Sequence, residues 1–136
     1  MIIPIFIPHL GCRERCTYCN QAYITDIHDN NIAQSIEKSI GEHKGGFEVG
    51  LYGANIFGLD ASALNTLFAY FDHYKARITN YRISTKPVPL DSEIINILRV
   101  NNVTVIELGM PTFSDIILEK LSRKHTVQDL LNTFYE

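Results

Sequence analysis

The sequence has no run of lysine or arginine, no apolar stretch long enough to cross a bilayer, and only three cysteines in 136 residues. Each shortage excludes a class of function. With a formal charge of -3 there is no basic field to gather nucleic acid. The apolar opening, Met1 to Pro8, is broken by Pro4 and Pro8 and has no basic flank, so it reads as neither signal peptide nor membrane helix. Low-complexity tracts, long linkers and clear internal repeats are also missing. The three cysteines are an odd number crowded within eight residues, whereas a secreted scaffold spreads an even set along the chain. A reducing, cytoplasmic compartment is the expectation, with no membrane association.

What is present is enough apolar side chain, 46%, to bury a core, and a length that suits a single domain spanning residues 1–136. Ile3 to Ile7 reads as a short buried strand that leads into the cysteine loop. A helix follows from about Ile32 to His43, with Ile32, Ile36 and Ile40 on one face and Gly45-Gly46 as its stop. Phe47 to Tyr52 reads as a second strand. A loop from Gly53 to Gly58 leads to a helix from about Ala61 to Ile78, with Leu64, Leu67, Phe68 and Phe71 as its stripe and Asp60 or Ser62 as its cap.

Tyr81 to Ser84 reads as a third strand, and Pro87 and Pro89 break the chain before Asp91 caps a helix carrying Ile94, Ile95 and Leu98. Val103 to Leu108 is the fourth strand. Ser114 and Thr126 are placed to cap two further helices, Thr126 with Asp129 in the manner of a capping box. Strand, loop and helix recur about four times, which predicts an α/β fold with parallel strands. In such a sheet the loops at the strands' carboxyl ends carry function, so those beginning near His9, Gly53, Thr85 and Gly109 are expected to share one rim.

The first of these loops, Gly11-Cys12-Arg13-Glu14-Arg15-Cys16-Thr17-Tyr18-Cys19-Asn20, has the spacing C-x3-C-x2-C. A polar, charged loop is a poor place for three cysteines to gather as core residues. Three thiolates on a tight loop can each hold one iron of a [4Fe-4S] cluster and leave the fourth iron without a protein ligand. Zinc is the competing reading, because His9 would complete a Cys3His tetrahedron, although a second C-x2-C knuckle is absent. Glu107, inside the apolar run Val103 to Leu108, needs a partner for its carboxylate and is a candidate for the rim.

Ile5-Phe6-Ile7-Pro8-His9-Leu10-Gly11-Cys12, continuing to Cys19-Asn20-Gln21, resembles the cluster loop of radical S-adenosylmethionine (SAM) enzymes. The closest branch in appearance is that of the Elongator catalytic subunit and its shorter bacterial relatives. The likeness continues through Leu51-Tyr52-Gly53, Arg82-Ile83-Ser84-Thr85-Lys86-Pro87, Val105 to Gly109 and Arg123-Lys124-His125-Thr126. It implies a partial (β/α) barrel, a [4Fe-4S] cluster on Cys12, Cys16 and Cys19, and SAM at the open iron. Reduction of SAM by an electron donor would then release a deoxyadenosyl radical to act on an unknown substrate.

By the same resemblance, Tyr52, Gly53 and Ala54 stand where a glycine-rich turn holds the SAM amino group. Ser84 and Lys86 stand where polar side chains meet its carboxylate or ribose, with Glu107 nearby. Ala54 replaces a glycine, Lys86 an arginine and Pro111 a glutamine. The family core has six strand-helix units, against four here. The chain thus reads as a fragment, as a decayed or split gene, or as a half-barrel whose open sheet edge is covered by a second copy or a partner chain. The alternative to catalysis is a partial cluster- or zinc-holding half-barrel without turnover. The transfer-RNA substrate of the Elongator branch is not implied, since its additional domains and basic surfaces are not found here.

Overall fold

The computed structural model describes residues 1–20, 23, 31–41 and 43–135. These form four parallel strands in sequential order: β1 (Ile2–Phe6), β2 (Phe47–Tyr52), β3 (Ile78–Thr85) and β4 (Val103–Leu108). Helices alternate with them: α1 (Ile32–Ile40) before β2, α2 (Ala61–Ala69) before β3, and α3 (Ser92–Val100) before β4. Two more, α4 (Asp115–Lys120) and α5 (Val127–Tyr135), follow β4. Parallel strands in sequential order with right-handed crossovers place every crossover helix on the same side of the sheet. The arrangement is the barrel type, not the doubly wound type, and the sheet is open.

Pairing runs Ile5 to Leu51, Leu51 to Ile83, and Ile83 to Ile106. Side chains alternate across a strand, so Ile3, Ile5, Val49, Leu51, Tyr81 and Ile83 face the helices. There they meet Ile36 and Ile40 of α1, Leu64, Leu67 and Phe68 of α2, and Ile94, Ile97 and Leu98 of α3. Each fully buried side chain of this size contributes about 1.5–3 kcal/mol. The opposite face is polar toward β3. Arg82 donates from Nε to Glu48 at 2.8 Å and from Nη1 to Glu107 at 2.7 Å, joining β2, β3 and β4.

The strands and the alternation agree with the sequence reading, while several boundaries move. α1 stops at Gly41, which adopts φ 39° and returns its N–H to the Glu37 carbonyl, so Gly45-Gly46 lies beyond the stop. α2 ends at Ala69, and Asp72–Arg77 tightens into a 3-10 turn before β3 begins at Ile78. Phe71, just before that turn, stays buried, which is why the apolar stripe extends beyond the helix. On α3 the buried positions are Ile94, Ile97 and Leu98, so Ile94 and Leu98 agree with the sequence reading, Ile97 is added and Ile95 is only half-buried.

The caps at Asp60, Asp91 and Thr126 form as expected. Asp60 accepts from Ala63 N–H at 2.8 Å, Asp91 accepts from Ile94 N–H at 2.8 Å, and Asp129 accepts from Thr126 N–H at 2.7 Å. Ser114 precedes α4 without a capping hydrogen bond from its side chain. Among the described residues, no helix is long and apolar enough to cross a membrane.

Candidate functional site

The loops after the four strands meet at the carboxyl ends, as a parallel sheet requires. The loop after β1 is anchored to the loop after β2 by backbone bonds from Ile7 to Tyr52, His9 to Gly53 and Asn55 to Leu10. Gly11 and Gly58 allow this close approach. A Cβ on Gly11 would lie 2.2 Å from the Asn55 carbonyl oxygen, and one on Gly58 would lie 2.2 Å from that of Gly11.

Asn55, 5% exposed, holds three loops at once. Its amide nitrogen donates to the Gly11 carbonyl, and its Oδ1 accepts from Thr85 Oγ1 at 3.0 Å and from Lys86 N–H at 3.2 Å. Thr85 in turn accepts from Phe57 N–H at 3.1 Å. These bonds set the distance between the cysteine loop and the end of β3.

Between them lies a cavity of about 160 Å³ lined by the three cysteines together with Gly53, Ala54, Ser84, Lys86 and Arg123. Larger hollows near Phe71 and Asn102 and beside Phe134 contain no cysteine, so chemistry and not volume selects the site. The three thiols are free and half-buried. Burial pushes the Cys12 thiol up, against the nearby Lys86 charge, which lowers it. Among the described residues, no group of three His, Cys, Asp or Glu side chains is arranged to hold a single metal ion; the thiols instead line a cavity.

Lys86, 8% exposed, reaches back to the cysteine loop, where its Nζ donates to Glu14 Oε2 at 2.9 Å. That bond holds the Glu14 carboxyl below its usual range. Ser84 lines the same cavity with Ala54. The left-handed conformation of this turn falls on Gly53, at φ 79°, and Ala54 has no positive φ. Alanine therefore carries no backbone strain where the resemblance expects glycine.

Tyr52 and Glu107 lie outside the cavity lining. Glu107 pairs with Arg82 on the open sheet face, supplying the partner that its position in an apolar run demands. The Tyr52 ring packs against Phe6 at 5.9 Å and covers Gly50, and burial followed by the Glu107 charge raises its phenol above the usual value. The sequence expectations thus separate into Gly53, Ala54, Ser84 and Lys86 beside the thiols, and Tyr52 and Glu107 on the adjoining face. His9 borders the cavity in a left-handed conformation, φ 62°.

Glu14 and Arg123 were given no role by sequence, and Asn55 was read only as the last residue of the turn at Tyr52 to Asn55. Arg123 follows α4 and donates from Nη1 toward Cys16 Sγ at 3.6 Å and to the Tyr18 hydroxyl at 3.2 Å, while Nη2 donates to the Gly109 carbonyl. Two residues on, His125 is 6% exposed with neither ring nitrogen hydrogen-bonded. Burial, with Arg123 and Lys86 nearby, pushes it down to about 4. A glutamate between the cysteines and the Arg123-Lys124-His125-Thr126 string were the available signals.

No curated protein matches the chain. The sequence model of the Radical SAM superfamily matches residues 6–136, a span that includes the cysteine loop, all of β2 to β4 and Arg123. The four parallel strands alternating with helices are consistent with a partial, unclosed barrel of such a protein. The chain belongs to the radical SAM superfamily.

Proposed function

We propose that Cys12, Cys16 and Cys19 hold a [4Fe-4S] cluster, that SAM binds at its open iron, and that the protein performs radical SAM chemistry. When bound, the cluster held by Cys12, Cys16 and Cys19 would supply the reducing electron for the SAM sulfonium, and with it the deoxyadenosyl radical chemistry of the superfamily. The observation that carries the reading is the gathering of three free thiols and two cations, Lys86 and Arg123, around one cavity at the strands' carboxyl ends. A donor set of three thiolates fits such a cluster, and nearby cations offset its negative charge.

The chain's own residues would bind and orient SAM. The Gly53–Ala54 turn offers backbone groups to the ammonium, while Ser84 and Lys86 offer donors to the carboxylate or ribose. Tyr52 and Glu107, the latter held by Arg82, lie on the adjoining sheet face outside the cavity lining, and SAM would have to extend beyond the cavity to meet them. Lys86 is already engaged by Glu14, so a SAM carboxylate would share or displace that partner. The matched strings from Leu51 to Gly53, Arg82 to Pro87 and Arg123 to Thr126 support a place near the Elongator-like branch and its shorter bacterial relatives. The compartment we propose is the cytoplasm, where a reducing electron donor is at hand.

A second reading, cluster holding without turnover, is favoured by the open four-stranded sheet and by the engaged Lys86. In that case a second copy or partner chain would cover the β4 edge.

Anaerobic reconstitution with iron and sulfide, metal counting, and electron paramagnetic resonance with and without SAM test both readings. Four irons and a reduced-cluster signal that changes on adding SAM are expected. Loss of the signal in Cys12→Ala, Cys16→Ala and Cys19→Ala should follow. Zinc in place of iron, or no cluster in a folded protein, would overturn the proposal. SAM cleavage then separates turnover from holding.

A further inference from the structure

Arg123 is fixed by the end of α4. Ser122 adopts φ 56°, Ser122 N–H returns to the Glu119 carbonyl, and Arg123 N–H returns to that of the fully buried Leu118. Left-handed closure of this kind turns the chain sharply at a helix carboxyl end. The same segment is bound to the cysteine loop by Thr17 N–H, which donates to the Leu121 carbonyl at 3.2 Å.

The guanidinium therefore projects from a braced turn and not from a free loop. It spans from the Gly109 carbonyl after β4 to Tyr18 and the Cys16 sulfur. Its Nε is buried without an acceptor among the described residues, while the residue as a whole is half-buried. A fixed cation with an N–H directed at one thiolate is a device for tuning an iron-sulfur centre, because donors to the sulfurs and nearby positive charge stabilise the reduced, more negative state.

We infer that Arg123 is a positioning residue that hydrogen-bonds the Cys16 sulfur of the bound cluster and raises the cluster's reduction potential. The inference rests on the cluster reading above. Lys86, the other cation at the cavity, is neutralised by Glu14, whereas Arg123 has no carboxylate partner among the described residues. Arg123 thus supplies the uncompensated charge at the thiols.

The test is an anaerobic redox titration of the reconstituted full chain, without SAM, followed by electron paramagnetic resonance. Arg123→Met removes the charge and the donors, while Arg123→Gln removes the charge but keeps a donor for Gly109 and Tyr18. Each variant is expected to load four irons and to be about tenfold harder to reduce, a midpoint lower by about 59 mV for one electron. An unchanged midpoint in either loaded variant overturns the inference. If Arg123→Met fails to fold, Arg123→Gln decides.

A variant with an unchanged midpoint but a weaker response to SAM would assign Arg123 to the SAM carboxylate instead, and would also overturn it. Absence of a four-iron signal in the unaltered protein would instead sink the cluster reading itself, so the two failures are distinguishable.

Discussion

The Lys86 ammonium lies 2.9 Å from the Glu14 carboxylate, although 72 positions separate the two residues. The bond ties the end of β3 to the middle of the cysteine loop. Lys86→Met and Glu14→Gln should each destabilise the fold, with a coupling of about 1 kcal/mol in a double-mutant cycle read by urea denaturation. Because the bond lowers the Glu14 pKa, its contribution is present above 4.5 and fades as pH falls through the lowered value. A zero coupling at pH 7 would remove the tether. Calorimetry of SAM binding adds a second readout: Lys86→Met should weaken binding, and Glu14→Gln, which frees the ammonium, should strengthen it.

Asn55 offers a sharper test of how the loops are assembled. Asn55→Ala strands the buried Lys86 N–H and the half-buried Gly11 carbonyl, which it satisfies. A loss of about 3 kcal/mol is expected, since each unsatisfied buried group costs about 1–3 kcal/mol. Thermal unfolding measures it, and a loss below ~0.5 kcal/mol would mean that water replaces the amide without penalty.

Gly11→Ala probes the same contact from the other side. The new methyl would sit 2.2 Å from the Asn55 carbonyl oxygen at a residue with φ 72°. Backbone must shift, at a cost of about 3 kcal/mol, and cluster loading should fall with it. Wild-type stability and iron content in this variant would show that the two loops can separate freely.

Much of this was legible in the sequence, and what was not has a common cause. β4 was read at both ends and the three cysteines at once, because a strand's apolar run and a C-x3-C-x2-C loop are local patterns. The end of α2 was not, because Phe71, between the helix and the 3-10 turn that follows, stays buried and extends the apolar stripe beyond the helix. Within the site, Lys86 was identified but its partner was not. Glu14, Asn55 and Arg123 act through contacts 30 to 107 positions apart, which no periodicity encodes. Tyr52 and Glu107 had the right neighbourhood, yet strand alternation sends them to the open face beside Arg82.

His125 predicts an acid limb. Its pKa is near 4 when folded and near 6.5 when unfolded, so between these values the unfolded chain binds more protons and stability falls as pH falls. The full change is on the order of 3 kcal/mol. His125→Leu, which also removes two unsatisfied nitrogens, should be no less stable at pH 7.5 and should flatten the decline between pH 6.5 and 4. An unaltered pH profile in this variant would assign the acid limb to other groups.

The Thr17–Leu121 and Cys16–Arg123 contacts bear also on the order in which the protein is made. Contacts this distant in sequence form late, after local strand and helix pairs have condensed. On a ribosome the cysteine loop emerges well before the residues that brace it. The loop therefore waits unbraced, its thiols exposed to oxidation and stray metal, until residues 121–123 follow. Bracing of the cysteine loop cannot be completed before that part of the chain has been made.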